Sequence, residues 1–132
     1  MDVTMTEKQW EEILKYFGFS KKRRMYYNAH GWKHRLVVVV SPDNEIHEEE
    51  LEGWPGEKVS IYPKPTFETI YKWIFPQLIS WSIEKDNKGY LWIKMDLKTQ
   101  KGRIYSQDYL DVDSDICDIV EMIGEMLLKM IR

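Results

Sequence analysis

Residues 91–97 read Leu-Trp-Ile-Lys-Met-Asp-Leu, so apolar side chains occupy every second position and Trp, Lys and Asp lie between them. Successive side chains of a strand point to opposite faces of a sheet, and this alternation therefore predicts a strand that buries one face only. Turn residues at 86–89 and 98–102 separate it from shorter strands predicted at 81–83 and 103–106. Together these segments predict an antiparallel meander.

A helix is predicted far upstream of the meander, over residues 7–17. Thr6 and Gln9 have the spacing of a capping box, in which each side chain bonds to the backbone N–H of the other residue. Gly18 is a favourable residue for ending the helix. One face of this helix is apolar and is formed by Trp10, Ile13, Leu14 and Phe17.

Two further helices are predicted. The second begins at Pro65 and Thr66 and ends or kinks at Pro76, whose ring removes a backbone hydrogen bond. The apolar face of this second helix comprises Phe67, Ile70, Tyr71, Ile74 and Leu78. The last helix is capped by Asp113 or Ser114. Its apolar residues recur at helical spacing and are Ile116, Ile119, Val120, Ile123, Leu127, Met130 and Ile131.

The apolar run at residues 36–40 contains four valines and predicts a central strand that is buried on both faces. Tyr26 and Tyr27 are candidates for the start of an earlier strand, and residues 59–62 are candidates for a short edge strand. We therefore predict an α+β fold in a single domain spanning residues 1–132. Its antiparallel sheet packs with three helices in the order α-β-β-α-β-β-β-α.

The composition excludes a disordered chain, because hydrophobic residues form 43% and aromatic residues 14% of the sequence. Cys117 is the only cysteine, so no internal disulfide can form, which fits a reducing compartment. We interpret Cys117 as a small, buried apolar residue. The sequence has no signal-peptide pattern and no apolar run long enough to span a bilayer. We expect a cytoplasmic protein that does not associate with membranes.

Charge is distributed unevenly along the chain, whose net charge is −3. Residues 21–24 form an unbroken run of Lys and Arg, whereas residues 41–57 hold seven acids and no Lys or Arg. Residues 58–132 balance at eleven charges of each sign. The negative total disfavours a general polyanion binder, although a local basic patch can still bind an anionic partner.

The basic run and the aromatic residues that follow it form the candidate partner-binding segment. Lys and Arg neutralise phosphates and aromatic rings stack on bases, a combination typical of nucleic-acid or nucleotide binding. Trp, Tyr and Arg are also the common anchors of protein–protein contacts. A solvated basic loop whose aromatic rings belong to the core is the structural alternative. The candidate residues are Lys21, Lys22, Arg23, Arg24, Tyr26, Tyr27, Trp32, Lys33 and Arg35.

No metal ligand, cofactor or catalytic residue is predicted. His30 and His34 have the spacing of helical metal ligands, but Gly31 lies between them and a strand follows. The alternating aspartates of residues 111–115 resemble the start of a calcium loop, but the Gly and the Glu that this loop requires are missing. Acidic residues near the start of a helix are instead explained by its dipole.

The last helix carries more apolar surface than one stripe. Met122 and Met126 flank its predicted core face. This surplus is covered either by the kinked second helix or by a second copy of the chain. The second arrangement predicts a homodimer.

Residues 63–78, Pro-Lys-Pro-Thr-Phe-Glu-Thr-Ile-Tyr-Lys-Trp-Ile-Phe-Pro-Gln-Leu, resemble a segment of small uncharacterised proteins of bacteria and their phages. With the strand meander and the final helix, residues 60–131 resemble the group called phage α-β-α sandwich proteins. This resemblance implies no particular activity and no catalytic residue. The longer, charged N-terminal third departs from that group. The likeness rests on Pro65, Thr66, Phe67, Tyr71, Lys72, Trp73, Pro76 and Leu78.

Three classes of function fit these features. We favour a non-enzymatic interaction protein, such as a phage- or prophage-encoded factor that binds and inhibits a host protein. The alternative is a nucleic-acid or nucleotide binder that uses residues 21–35. The second alternative is a small hydrolase whose site the sequence does not reveal.

The basic run leads to the first testable prediction. Replacing Lys22, Arg23 and Arg24 by Glu should abolish binding of a partner that uses this segment. The melting temperature should barely change, because surface substitutions shift stability by about 0.5 kcal/mol or less. Affinity measured at several salt concentrations separates the partners, since a nucleic acid gives a steep salt dependence and a protein held by aromatic anchors gives a shallow one. A loss of stability in place of binding would show that residues 45–52 neutralise the run internally.

Overall fold

The computed structural model describes the backbone of residues 5–27, 31, 33–52 and 66–132, and the side chains of all of these except 22–27, 33–38 and 46–52. The chain forms two compact units, which are described one after the other. The first unit combines Met1–Phe17 with Pro65–Arg132, and the second is Gly18–Lys64. The predicted α+β class is confirmed, and the strands form two antiparallel sheets where one was predicted. The organisation as a single domain stays a prediction.

Helix α1, Glu7–Tyr16, opens the first unit and confirms the predicted capping box. The Thr6 N–H donates to Gln9 Oε1 at 2.8 Å, and the Gln9 N–H donates to Thr6 Oγ1 at 3.2 Å. These bonds satisfy N–H groups that have no partner within the helix. The predicted apolar face is also confirmed, since Trp10, Ile13, Leu14 and Phe17 are all buried.

Helix α3, Ile116–Ile131, packs along α1. The Met5 N–H donates to Glu121 Oε2 at 2.8 Å, and Arg132 Nη2 lies 3.1 Å from Glu12 Oε2. The N-cap is Asp115 rather than the predicted Asp113 or Ser114, because the Asp115 carboxylate accepts from the Asp118 N–H at 2.9 Å. Met5 precedes α1 and contacts Glu121 in the first half of α3, whereas Arg132 follows α3 and contacts Glu12 in the second half of α1, so the two helices run in the same direction.

The second helix is short and changes its winding twice. It begins as α2, Phe67–Thr69, continues as a π-helix over Ile70–Ile74 and ends as a 3₁₀ turn, Phe75–Gln77. Its predicted start at Thr66 is confirmed, and it ends one residue after Pro76. Tyr71 is 58% exposed, contrary to its predicted place on the buried face. The wider π-helical turn no longer follows the 3.6-residue period on which that prediction rested.

The meander of the first unit is a three-stranded antiparallel sheet in the order β4-β5-β6. Its strands are β4, Ser80–Lys85, β5, Tyr90–Thr99, and β6, Gly102–Asp111. The predicted alternation of β5 is confirmed, because Ile93, Met95 and Leu97 are buried on the face towards α3. The opposite side, which we call the outer face, carries the residues between them.

The second unit holds another antiparallel sheet, in the order β1-β2-β3. Because its strands come earlier in the chain, we call this sheet the first sheet and the β4-β5-β6 meander the second sheet. Its strands are β1, Ser20–Tyr27, β2, Lys33–Val40, and β3, Ile46–Glu52. The apolar run at 36–40 lies in the central strand, as predicted. Consecutive residues Val39 and Val40 point to opposite faces and are both buried, so both faces of β2 are covered at that end.

The two outer strands of this sheet differ from the sequence prediction. The basic run belongs to β1 rather than to a loop, and Tyr26 and Tyr27 end that strand instead of starting it. The acidic stretch supplies β3, which pairs with β2 and not with β1. Strand β2 therefore separates the basic strand from the acidic strand. The edge strand predicted at 59–62 lies outside the described residues.

Two expectations for α3 change in the structure. Cys117 is exposed and not buried, because it lies in the first turn beside the exposed Ile116. Met126 is buried within the chain, and Met122 is partly buried. The protein therefore covers much of the surplus apolar surface with its own residues. The homodimer stays a prediction and draws no support from this face.

The contact between α1 and α3 allows a test at Gly124. A Cβ atom there would lie 2.6 Å from Trp10 Cη2, so Gly124→Ala should destabilise the protein by about 1–3 kcal/mol as an overpacked core does. An unconstrained Gly→Ala change in a helix gains about 1 kcal/mol. Thermal unfolding gives the sign of the effect. In a Trp10→Phe background the cost should shrink, and a higher melting temperature for Gly124→Ala alone would contradict the packing.

Candidate partner-binding face

The outer face of the second sheet is built by strand register. Trp92 of β5 lies opposite Glu84 of β4 and Tyr109 of β6. Lys94 lies opposite Ser82 and Gln107 in the next outward-facing row. Because side chains alternate along each strand, all these residues share one face. The full set on the three strands is Ser80, Ser82, Glu84, Tyr90, Trp92, Lys94, Asp96, Lys98, Arg103, Tyr105, Gln107, Tyr109 and Asp111.

Three aromatic rings form a continuous cluster at one end of this face, and we call Tyr90, Trp92 and Tyr109 the aromatic platform. The ring centroids of Trp92 and Tyr109 lie 5.0 Å apart, and those of Tyr90 and Tyr109 lie 5.1 Å apart. These distances are typical of favourable ring contacts. Tyr109 is 50% exposed and Tyr90 is 37% exposed, so the platform keeps much of its surface accessible to a partner.

Asp86 fixes the orientation of the platform. Its Oδ2 accepts from the Trp92 indole N–H at 2.8 Å, while its Oδ1 accepts from the backbone N–H groups of Lys88 and Tyr90, each at 2.9 Å. The bonds from Tyr90 and Trp92 hold the pKa of Asp86 below its usual range. The carboxylate therefore stays ionised and links the β4–β5 turn to the Trp92 ring.

A second fixed charge lies at the other end of the outer face. Asp96 is buried, although its strand position points outward. Arg103 Nε donates to both Asp96 carboxylate oxygens, at 2.9 and 2.8 Å, and Arg103 Nη2 pairs with Oδ2. The Arg103 hydrogen bonds hold the pKa of Asp96 below its usual range, and Asp96 raises the pKa of Arg103. This side-on pairing stabilises both charged forms.

A shallow groove of about 350 Å³ runs beside the platform. Lys94 Nζ lies 3.3 Å from Glu84 Oε2, so these two charges pair across the groove. Such a groove offers an aromatic wall, an amide and a paired cation to a ligand. The residues that line it are Glu84, Lys85, Asp86, Trp92, Lys94 and Gln107.

The structure places the sequence-predicted binding residues other than Trp32 on two neighbouring strands, β1 and β2. Met25 pairs with Arg35, Tyr26 with His34 and Tyr27 with Lys33. The side chain of Lys21 is exposed. Trp32 and the side chains of the other candidates lie outside the described residues, so their role in binding stays a prediction. These are Lys22, Arg23, Arg24, Tyr26, Tyr27, Lys33 and Arg35.

The outer face was missed by reasoning from the sequence. Trp92 is an aromatic residue at a position where the apolar–polar alternation of residues 91–97 calls for a polar one. This exception is the sequence signal that could have indicated the outer face. Tyr90 shares its face through the alternation of β5, but Tyr109 joins it only through register, since 17 positions separate Trp92 from Tyr109 in the chain. Register depends on turn geometry and on which face is buried, neither of which the composition of a single strand specifies.

Within the described ranges, no group of three or more His, Cys, Asp or Glu side chains is arranged to hold a metal ion. None of the helices among these residues is both long enough and apolar enough to cross a membrane. His30, which has the spacing of a metal ligand with His34, lies outside the described residues.

No family model, curated protein or solved structure matches this chain. The resemblance to phage α-β-α sandwich proteins therefore stays a prediction.

The Asp96–Arg103 pair predicts how stability depends on pH. Because the folded pKa of Asp96 is below its ordinary value of 3.8, the pair stabilises the fold fully above that pH. This stabilisation is lost progressively as the pH falls from 3.8 through the folded pKa. Denaturant titrations should show a smaller acid-induced loss for Asp96→Asn than for the natural protein. The exposed Asp113→Asn serves as the control, and an unchanged loss for Asp96→Asn would contradict the assignment.

Proposed function

We propose that this chain is a non-enzymatic binding protein that contacts a partner protein through the outer face of its second sheet. The observation that carries the proposal is the aromatic platform, whose rings are accessible and whose Trp92 is held by Asp86. Tyr and Trp supply large contact areas at little cost in side-chain entropy, and they anchor many protein interfaces. Inhibition of a host protein stays a prediction about the consequence of binding.

The charges of the outer face favour a protein over a nucleic acid as partner. Lys94 is paired with Glu84, and Arg103 is paired with Asp96. Paired cations contribute little to neutralising phosphates, which is the main source of affinity for nucleic acids. A face with mixed, paired charges around aromatic residues resembles a protein–protein interface, where the centre is aromatic and the rim is polar.

The titratable groups of this face support binding rather than catalysis. A general acid or base works best with a pKa near the working pH. The shifts at Asp86 and Asp96 go in the opposite direction, because both carboxylates are stabilised as anions. Each shift is explained by the hydrogen bonds that hold a neighbouring side chain in place.

Site-specific cross-linking can test the proposal. A photoreactive phenylalanine analogue replaces Tyr109 in one protein and Tyr16 in the control, since both tyrosines are exposed and Tyr16 lies on α1 away from the sheet. Mass spectrometry identifies the adducts formed in a lysate of the source cells. We expect a specific protein adduct at position 109 and none at position 16.

The identified partner is then purified and its affinity measured. Tyr109→Ala should weaken binding at least tenfold, because truncation of an aromatic anchor costs about 2 kcal/mol or more. Tyr16→Ala should leave the affinity unchanged. Equal adducts at both positions, or an unchanged affinity for Tyr109→Ala, would refute the outer face as the binding site. Loss of binding only in the Lys22, Arg23 and Arg24 variant would assign the contact to β1.

A further inference from the structure

We propose that copies of this chain associate head to tail, with the basic strand β1 of one copy pairing with the acidic strand β3 of the next. Strands β1 and β3 are the outer two strands of the first sheet as far as the structure describes it. A strand at the edge of a sheet presents unpaired N–H and C=O groups that can bind a further strand. The occupant proposed here is a second copy of the same chain.

The charges of the two edges are opposite. Strand β1 reads Ser-Lys-Lys-Arg-Arg-Met-Tyr-Tyr, and strand β3 reads Ile-His-Glu-Glu-Glu-Leu-Glu. Like charges directly opposite one another destabilise a strand pair, and opposite charges stabilise it. Pairing of β1 with β1, or of β3 with β3, is therefore disfavoured. This favours the unlike pairing over the symmetric edge-to-edge dimers.

The register within one copy already places the charges at matching levels. Lys22 and Glu49 both pair with Val38, and Arg23 and Glu50 both pair with Val37. Lys21 and Glu48 likewise share Val39 as their partner. Three basic residues of β1 thus lie level with acidic residues of β3, two strands away, whereas Arg24 lies level with Leu51.

The same three levels recur between copies. Strands β1 and β3 both run antiparallel to β2, so they run in the same direction as each other. Shifting a copy sideways by three strand spacings, about 14 Å, continues the sheet with its β1 beside the first copy's β3. At zero stagger, Glu48, Glu49 and Glu50 of one copy then lie beside Lys21, Lys22 and Arg23 of the next.

Within a single copy, β2 lies between the matched residues of β1 and β3. Two strand spacings place the β1 and β3 backbones about 10 Å apart, which is close to the screening length at physiological salt. Adjacent strands halve that distance. Because each copy keeps one basic and one acidic edge, the contact is heterologous and can repeat.

Sedimentation velocity of the full chain at low and high salt tests the proposal. The natural protein should associate at low salt, and the association should decrease as salt screens the edge charges. If the natural protein sediments as a monomer at every salt concentration, the proposal is overturned. Association that does not respond to salt would overturn it too, because it would point to an apolar contact such as a homodimer through α3.

Charge reversal with rescue identifies the edges. Lys22→Glu with Arg23→Glu reverses β1, and Glu49→Lys with Glu50→Lys reverses β3. Each double variant alone should lose self-association, because like charges then lie side by side at two of the three matched levels. An equimolar mixture of the two should associate again, since the reversed β1 of one faces the reversed β3 of the other.

A matched control changes the net charge without touching the edges. Lys8→Glu with Lys101→Glu alters two exposed positions, one on α1 and one in the turn between β5 and β6, and changes the net charge as much as the β1 variant does. This variant should associate like the natural protein. Circular dichroism checks that every variant is folded. Failure of the mixture to recover, with both variants folded, would refute the unlike-edge pairing.

Discussion

Burial of alternate residues in β5 is the constraint on which the rest of the first unit depends. Burying Ile93, Met95 and Leu97 contributes about 1.5–3 kcal/mol for each side chain. A register slip of one residue would move Trp92, Lys94 and Asp96 into the core instead. The inner face therefore decides which residues face outward. Because β5 is the central strand, it also sets the level of every residue on β4 and β6.

The polar contacts of the outer face preserve its shape. Asp86 joins the β4–β5 turn to the Trp92 indole, and Asp96 joins β5 to Arg103. Both carboxylates are stabilised as anions by these contacts. A face whose side chains are already ordered loses little entropy when a partner binds.

The two sheets offer different kinds of surface. The second sheet presents aromatic rings with paired charges, whereas the first separates a basic strand from an acidic one by placing β2 between them. The basic and acidic segments of the sequence thus form the two outer strands of one described sheet, on either side of β2. Aromatic contacts tolerate salt, and edge charges do not, so the two surfaces respond to different conditions.

The sequence by itself determined the elements that depend on local spacing. The capping box of α1, the alternation of β5 and the central position of the valine run were all readable, because each rests on residues within a few positions of one another. The class α+β followed from these elements.

Only the tertiary structure decided how distant residues meet. Strands β1 and β3 escaped prediction because charged strands at a sheet edge have no apolar alternation, and their pairing with β2 is non-local. The exposure of Cys117 and the burial of Met126 depend on which part of α3 other elements cover. Trp92 and Tyr109 form one platform because strand register, a property of the whole sheet, places them side by side.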